Sequence, residues 1–561
     1  MISVLLAGFV PAAWPGPAAA AETNLQAQFT AAAAEFGVPT AVLLAVGYEE
    51  SRWESHTNVP SVAGGFGPMH LTDTAALGRR NAPFEGDARG IAGAPVRSDL
   101  LGTADTPRRE PSAAPDTPQR EPSATPDTLP AAAALLGVTG ESLRGDTEQN
   151  LRGGAALLAS YQRKATGDLS ADPGRWYPAV AQYSAASDAA SARAFADDVF
   201  GIVSDGVART TDDGQQVQLA ADPAVRPDRA AVSLLGLPEP RPQAAAPECP
   251  RTLACDYVPA AYAQTDPANK TSYGNYDMAD RPRDGDAVRY IVIHDTEGSY
   301  DGTLDSFADP TFGASAHYVI RSADGHVTQS VPTRDVAWHA GNWYVNSHAI
   351  GIEHEGVAVD GGAWYTETLY RSSARLVGYL ARRYHIPLDR AHILGHDNVP
   401  APTSAYLHAM HWDPGPYWDW DHYMDLLGGP TPRPGATDSP MVTIAPYYGT
   451  NRPLLTTCGP DPCRVLPNQP ASFVYLYTEP ADGAPLIGDP ALGPGVGTTE
   501  IDDVRDKASS GQRFVVAERS AGWTAVWFGG AEAWYPDPGG TNSASARGRI
   551  IRPREGLASI P

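Results

Sequence analysis

Five side chains between residues 289 and 420 have the types and spacing for hydrolytic metal chemistry. His294 closes the apolar run RYIVIH, where a strand would give way to a loop. In AIGIEHEG (349–356) the period of a strand puts Glu353 and Glu355 on one face, with Ile350, Ile352 and His354 on the other. If the isoleucines meet the core, both glutamates look into an open cleft. His396 follows in GHDNVP, and Asp413 in HWDPGP, seventeen residues further on. Two imidazoles and a carboxylate form an N/O donor set that suits Zn2+, and a fourth position left to water makes such a site catalytic.

These residues need a rigid frame, and the flanking sequence predicts one. Residues 289–294 are rich in Tyr, Ile and Val, as in a strand buried on both faces. HYVIRS (317–322), the turn SADG and HVTQSVP (326–332) predict a hairpin. Thr366 is placed to cap a helix with Leu369, Leu376, Leu380 and Tyr384 on one face, ended by Pro387. Strands with helices packed against them predict a mixed-sheet α/β layer fold.

Five segments in order, IVIHDTEG, SAHYVI, AWHAGN, IGIEHEG and GHDNVP…DPGPYWDW, resemble the type-2 N-acetylmuramoyl-L-alanine amidases. That zinc family includes phage amidases and peptidoglycan recognition proteins. The resemblance implies Zn2+ ligands at His294, His396 and Asp413, and a general base at Glu353. It implies peptidoglycan as the partner, cut between N-acetylmuramic acid and the L-alanine of its stem peptide. Where the family has a lysine two residues before the aspartate ligand, this chain has His411, which can stabilise an oxyanion through a ring N–H. His317 and His339 match family positions, with expected roles in lining the cleft and binding substrate or in supporting the ligands. His408 is a rival ligand, since imidazole suits zinc as well as carboxylate does. The alternative from another class is a receptor that binds peptidoglycan without cutting it. Loss of a ligand or of the base would mark it, and all four are present.

Upstream, GVPTAVLLAVGYEESRW (37–53) predicts a helix capped by Thr40 that delivers Glu50 at its end. A carboxyl group held among apolar neighbours has a raised pKa, as a general acid for glycosidic cleavage requires. Glu50-Ser51, Gly67-Pro68-Met69-His70, NLRGGAALLASY (150–161) and WYPAVAQYSAAS (176–187, with Tyr183) resemble the lysozyme-like lytic transglycosylases. Pro68 and His70 stand where that family has leucine and glutamine. The resemblance implies an α-helical module over 24–205 with Glu50 as its acid, either cleaving glycan strands or only binding them. Its insertion, 102–130, contains the repeat DTPRREPSAAP/DTPQREPSATP (105–126), too poor in apolar residues to fold and expected to be a disordered loop.

The remaining chain reads as a linker (206–256), the amidase domain (257–428), a second linker (429–445), a small all-β domain (446–537) and a disordered tail (538–561). FVYLYTEP and QRFVVAERSAGWTAVWFGGAEAWYP, with Trp523, Trp527 and Trp534, resemble a bacterial SH3-like barrel, which implies wall binding. The first 21 residues pair an apolar core with Ala19-Ala20-Ala21, as in a signal peptide, so the protein is expected to be secreted to the extracellular space or cell wall. The four cysteines form two local pairs, expected to close as disulfides Cys249–Cys255 and Cys458–Cys463. A net charge of -24 excludes nucleic acid and anionic membrane surfaces as partners. No later apolar run reaches the roughly 18 residues of a membrane span.

Overall fold

The computed structural model describes residues 24–56, 58–74, 88–89, 127–239, 246–264, 273–361, 365–403, 410–458, 462–490, 492 and 494–551. The signal-peptide segment, the 105–126 repeat and His408 lie outside the described residues. No helix among the described residues is long and apolar enough to cross a membrane.

The N-terminal part is helical, with its longest helices at Thr147–Thr166 and Ala189–Asp205. The helix that ends in Glu50 runs Thr40–Ser51. Thr40 is its first residue rather than its cap, because Pro39 occupies the cap position. A helix at Thr128–Leu136 begins inside the stretch expected to be disordered up to 130. The expected linker 206–256 is also structured. Val207–Thr210 and Gln216–Leu219 pair as an antiparallel hairpin, and Val217 and Leu219 enter the helical core. Val207 packs against the same core, and three such side chains spread over two short strands do not register as an apolar run.

The central body is built on a six-stranded mixed sheet, in the order Ile393–Gly395, Tyr290–Asp295, Ala349–His354, Tyr318–Ile320, Val327–Gln329, Cys255–Tyr257. The first three strands and Tyr318–Ile320 run parallel; the expected hairpin 318–320/327–329 is antiparallel. Ile291, Val292 and Ile293 are all 0% exposed, as a strand buried on both faces demands. Thr366 caps the helix Glu367–Tyr384 by accepting from the Leu369 N–H, and Leu369, Leu376 and Leu380 pack with Ile350 and Ile352. The edge strand Cys255–Tyr257 belongs to this sheet, so the domain starts inside the expected linker, and Cys249 is bonded to Cys255.

The C-terminal part is all β, with a five-stranded antiparallel sheet ordered Ala531–Pro536, Trp523–Phe528, Arg513–Ser520, Met441–Ile444, Ser543–Ser545. Both expected boundaries move outward. Met441–Ile444 lies in the presumed linker and Ser543–Ser545 in the presumed tail, yet the two pair with each other. Cys458 is bonded to Cys463.

Candidate active site

The sheet register brings the chemistry together. Glu353 stands opposite His294 across two parallel strands, and Gly395 opposite Ile293, so His396 emerges beside them at the carboxyl ends of the strands. This is where open α/β sheets form their crevices. Asp413 arrives on a loop whose carbonyl accepts from the Asp397 N–H at 3.0 Å. Its Oδ2 lies 2.9 Å from His294 Nδ1, and its Oδ1 lies 2.9 Å from His396 Nδ1. The three donor atoms fall within 4.8 Å of one another and could hold a metal ion. His294, His396 and Asp413 are 2%, 4% and 4% exposed, so water competes little for these donors.

Electrostatics suits the arrangement. Burial carries the His294 imidazole down to about 4 despite the facing Asp413, leaving it neutral, the form that ligates. Burial works against charge on Asp413, but His396 and His294 hold its carboxyl well below the usual range. His354 donates from Nδ1 to the His294 carbonyl at 2.7 Å and meets Ser373 through Nε2, which pins the end of the strand.

Glu353 reaches the same cleft. Its Oε2 is buried without a hydrogen-bond partner among the described residues. Burial, followed by the charges of Asp413, Asp295 and Glu297, pushes its carboxyl well up, so it accepts a proton readily. Glu355 does not share this position. The strand ends at His354, and Glu355, 5% exposed, instead accepts from the N–H groups of Tyr300 and Ser322. The period-two expectation failed there because it outran the strand.

The cleft has a volume of about 510 Å³, and His294, His339, Glu353, His396, His411 and Asp413 all contribute to its wall. His339 places Nδ1 3.0 Å from His294 Nε2. Its ring crosses the Glu353 strand at Gly351, where a Cβ would stand 2.5 Å from the imidazole. His411 sits at the mouth, its side chain 36% exposed and Nδ1 3.9 Å from Asp413 Oδ1. His317 does not reach the wall. It is 0% exposed, its Nδ1 accepts from the Gly351 N–H, and its Nε2 lies 3.1 Å from the Asp335 carbonyl. Its ring lies against that of His339, with centroids 5.9 Å apart.

Glu50 lies apart, in the helical module. It is 4% exposed, with Oε2 3.3 Å from His70 Nδ1, and His70 Nε2 is 2.7 Å from Ser61 Oγ. Burial raises the Glu50 carboxyl, with His70 opposing.

Several cleft residues were missed in the sequence. Glu297 is within HDTEG, three residues after His294, and the motif itself could have flagged it. Phe307, Phe312 and Trp338 form the apolar wall. Ala88 and Asp502 reach the cleft from outside the central body, and no local pattern announces either.

Residues 284–416 match the family described as N-acetylmuramoyl-L-alanine amidase. The chain is 33% identical over 177 residues to N-acetylmuramoyl-L-alanine amidase A of Achromobacter lyticus, covering 29% of this chain and 92% of that protein. It is 33% identical over 140 residues to 1,6-anhydro-N-acetylmuramyl-L-alanine amidase AmpD of Citrobacter freundii, 23% of this chain and 68% of that one. A solved structure, the endolysin amidase LysCS from Clostridium intestinale, aligns over 33% of this chain and 99% of its own at 19% identity and TM-score 0.23; the weight rests on the sequence relatives.

Proposed function

The chain belongs to the N-acetylmuramoyl-L-alanine amidase family, and from that premise we propose a zinc-dependent hydrolase that cuts the amide between N-acetylmuramic acid and L-alanine in peptidoglycan. The observation that carries this reading is the convergence of His294, His396, Asp413 and the unpartnered Glu353 Oε2 in one cleft. The donor set fits zinc: two imidazole nitrogens and a carboxylate oxygen, buried and mutually close, with His396 Nε2 also buried and unpartnered among the described residues.

Zinc held by His294, His396 and Asp413 would polarise the scissile carbonyl and acidify a water molecule. Glu353 takes the proton of the attacking water on Oε2, which its raised pKa favours, and returns it to the leaving amine. His411 at the mouth can donate a ring N–H to the developing oxyanion, the role a lysine has in the family. Phe307, Phe312 and Trp338 give the cleft part of its apolar lining. Glu353→Gln is expected to keep zinc while losing about 10²–10⁴-fold in hydrolysis. Zinc analysis together with mass spectrometry of digested peptidoglycan checks this; free stem peptides at the wild-type rate would sink the assignment.

A second reading adds glycan-strand cleavage by a lysozyme-like N-terminal module. What supports it is Glu50, desolvated at the end of its helix as an acid would be. Anhydromuropeptides that vanish in Glu50→Gln would carry it, and their absence from the wild-type digest would leave that module as a glycan binder. The C-terminal domain is read as SH3-like and wall-binding. Export fits both disulfides, which persist in oxidising compartments.

A further inference from the structure

The loop that carries Asp413 does not finish inside the central body. Trp412 packs against a cluster in which Tyr417 joins Leu455, Leu466, Phe473 and Ile501 of the C-terminal domain. Tyr417 and Phe473 are each 1% exposed, so the contact is core in character. Three hydrogen bonds hold the same loop. The Ser472 N–H donates to the Pro416 carbonyl at 2.7 Å, and the Tyr448 hydroxyl donates to the Tyr417 carbonyl at 2.7 Å. The Trp420 N–H donates to Ser472 Oγ at 3.2 Å.

The turn that carries His396 is backed through one intermediary. Arg390 donates from Nε to the Ser510 carbonyl at 3.2 Å and from Nη2 to Asn398 Oδ1 at 2.7 Å. Asn398 lies in the turn His396–Asn398, and the guanidinium sits 3.3 Å from the centroid of the Trp420 ring. Ile501 is followed by Asp502, which lines the cleft itself.

We infer that the C-terminal domain is a structural component of the catalytic centre, setting the positions of Asp413 and His396 through Phe473, Tyr448 and Ser510. Two of the three candidate ligands sit outside the strands, and ordering such backbone costs conformational entropy. A loop left to itself would meet that cost each time the ion binds. A loop already packed on another domain has met it in folding. Outer partners of ligands typically carry about 10–100-fold in metal affinity. The matched family region ends at residue 416, ahead of Tyr448, Phe473 and Ser510. Phe473, Tyr448 and Arg390 are positioning residues, distinct from the groups that touch substrate.

The inference rests on the proposed zinc site for its affinity arm and on the amidase reading for its kinetic arm. The test uses the full chain, comparing Phe473→Ala/Tyr448→Phe with the conservative Phe473→Leu and with Trp527→Ala, an exposed position on the same domain. Zinc affinity is read by competition with a chelator, and kcat and KM on a soluble muramoyl-peptide that needs no wall attachment. The expected result is zinc affinity at least tenfold weaker and kcat reduced with KM nearly unchanged in the double variant. Phe473→Leu should restore most of both, and Trp527→Ala should change neither. Should the double variant fail to fold, Tyr448→Phe alone is expected to weaken zinc binding measurably. Zinc affinity and kcat within twofold of wild type in the folded variants would overturn the inference. A wild-type chain that binds zinc but cuts no amide would overturn the amidase reading, while the affinity arm still decides this one.

Discussion

The central domain is gripped on two sides, and the grips are chemically opposite. On the C-terminal side, Tyr417 and Trp412 enter an apolar cluster with Leu466, Phe473 and Ile501. On the N-terminal side, the contact is ionic and buried. Arg52 reaches Asp419 at 2.8 Å, Arg371 lies 2.8 Å from Glu367 and 3.7 Å from Glu49, and His422 Nε2 is 2.7 Å from Glu367. Arg375 donates to Asp198 at 3.0 Å. Apolar burial is non-directional and indifferent to pH. A buried ionic network contributes little net stability, yet removing one member leaves its partners stranded. The first kind of contact suits holding a catalytic loop. The second holds one orientation and responds to conditions.

The heaviest blow to this contrast should fall on Glu367, which is 0% exposed and faces Arg52, Arg371 and His422. Glu367→Ala is expected to cost about 3–5 kcal/mol, as for other buried pairs broken on one side. Denaturant unfolding measures it, and a loss near zero would mean that the network is screened by solvent. On the apolar side, Leu466→Ala, at a site 4% exposed, should cost about 2–3 kcal/mol, with the same value in low and high salt. A strong salt dependence there would erase the distinction.

The smallest effect is a pH slope. Burial alone would raise Glu367, but His422, Arg371 and Arg52 hold it well below its ordinary 4.5. Its stabilisation is therefore complete above 4.5 and lost as pH falls through the folded value. Asp198 behaves in the opposite way. Burial pushes it from 3.8 up to about 6, so its contribution is complete below 3.8 and is lost as pH rises through about 6. Glu49 is displaced upward for the same reason, burial first and then the neighbouring Asp198. The N-terminal grip should thus weaken in both directions from a best pH between 3.8 and 4.5. Asp198→Asn should flatten the decline between pH 4 and 6 in denaturant midpoints, and an unchanged slope would refute the assignment.

What the sequence made legible follows the same division between local and distant. His294, Glu353 and His396 were readable because each belongs to a short apolar strand or the turn directly after it. Glu355 was misplaced because the alternation rule carries no information on where a strand stops, and Asp295 and Glu355 lie at that stop. His317 matched a motif, but its burial is imposed by Gly351 and Asp335, which are distant in sequence. The hairpin at 207–219 and the edge strands at 255–257 and 543–545 were read as linker or tail because each contributes so few apolar side chains. Ala88 and Asp502 join the cleft only through tertiary contact, which no window of sequence contains.

The ladder that sets Glu353 opposite His294 has a consequence for how the protein fails when heated. Those two residues face each other across adjacent inner strands of a six-stranded sheet, so separating them requires global opening of the domain. Asp413 stands on a loop packed against the C-terminal domain, so it leaves when that contact opens, at a lower free energy than opening of the sheet. On the zinc reading proposed above, warming is expected to release the ion before the fold is lost, and cooling with metal present should repair that first stage of inactivation. Backbone amides of the Glu353 strand will exchange their hydrogens last, long after the enzyme has fallen silent.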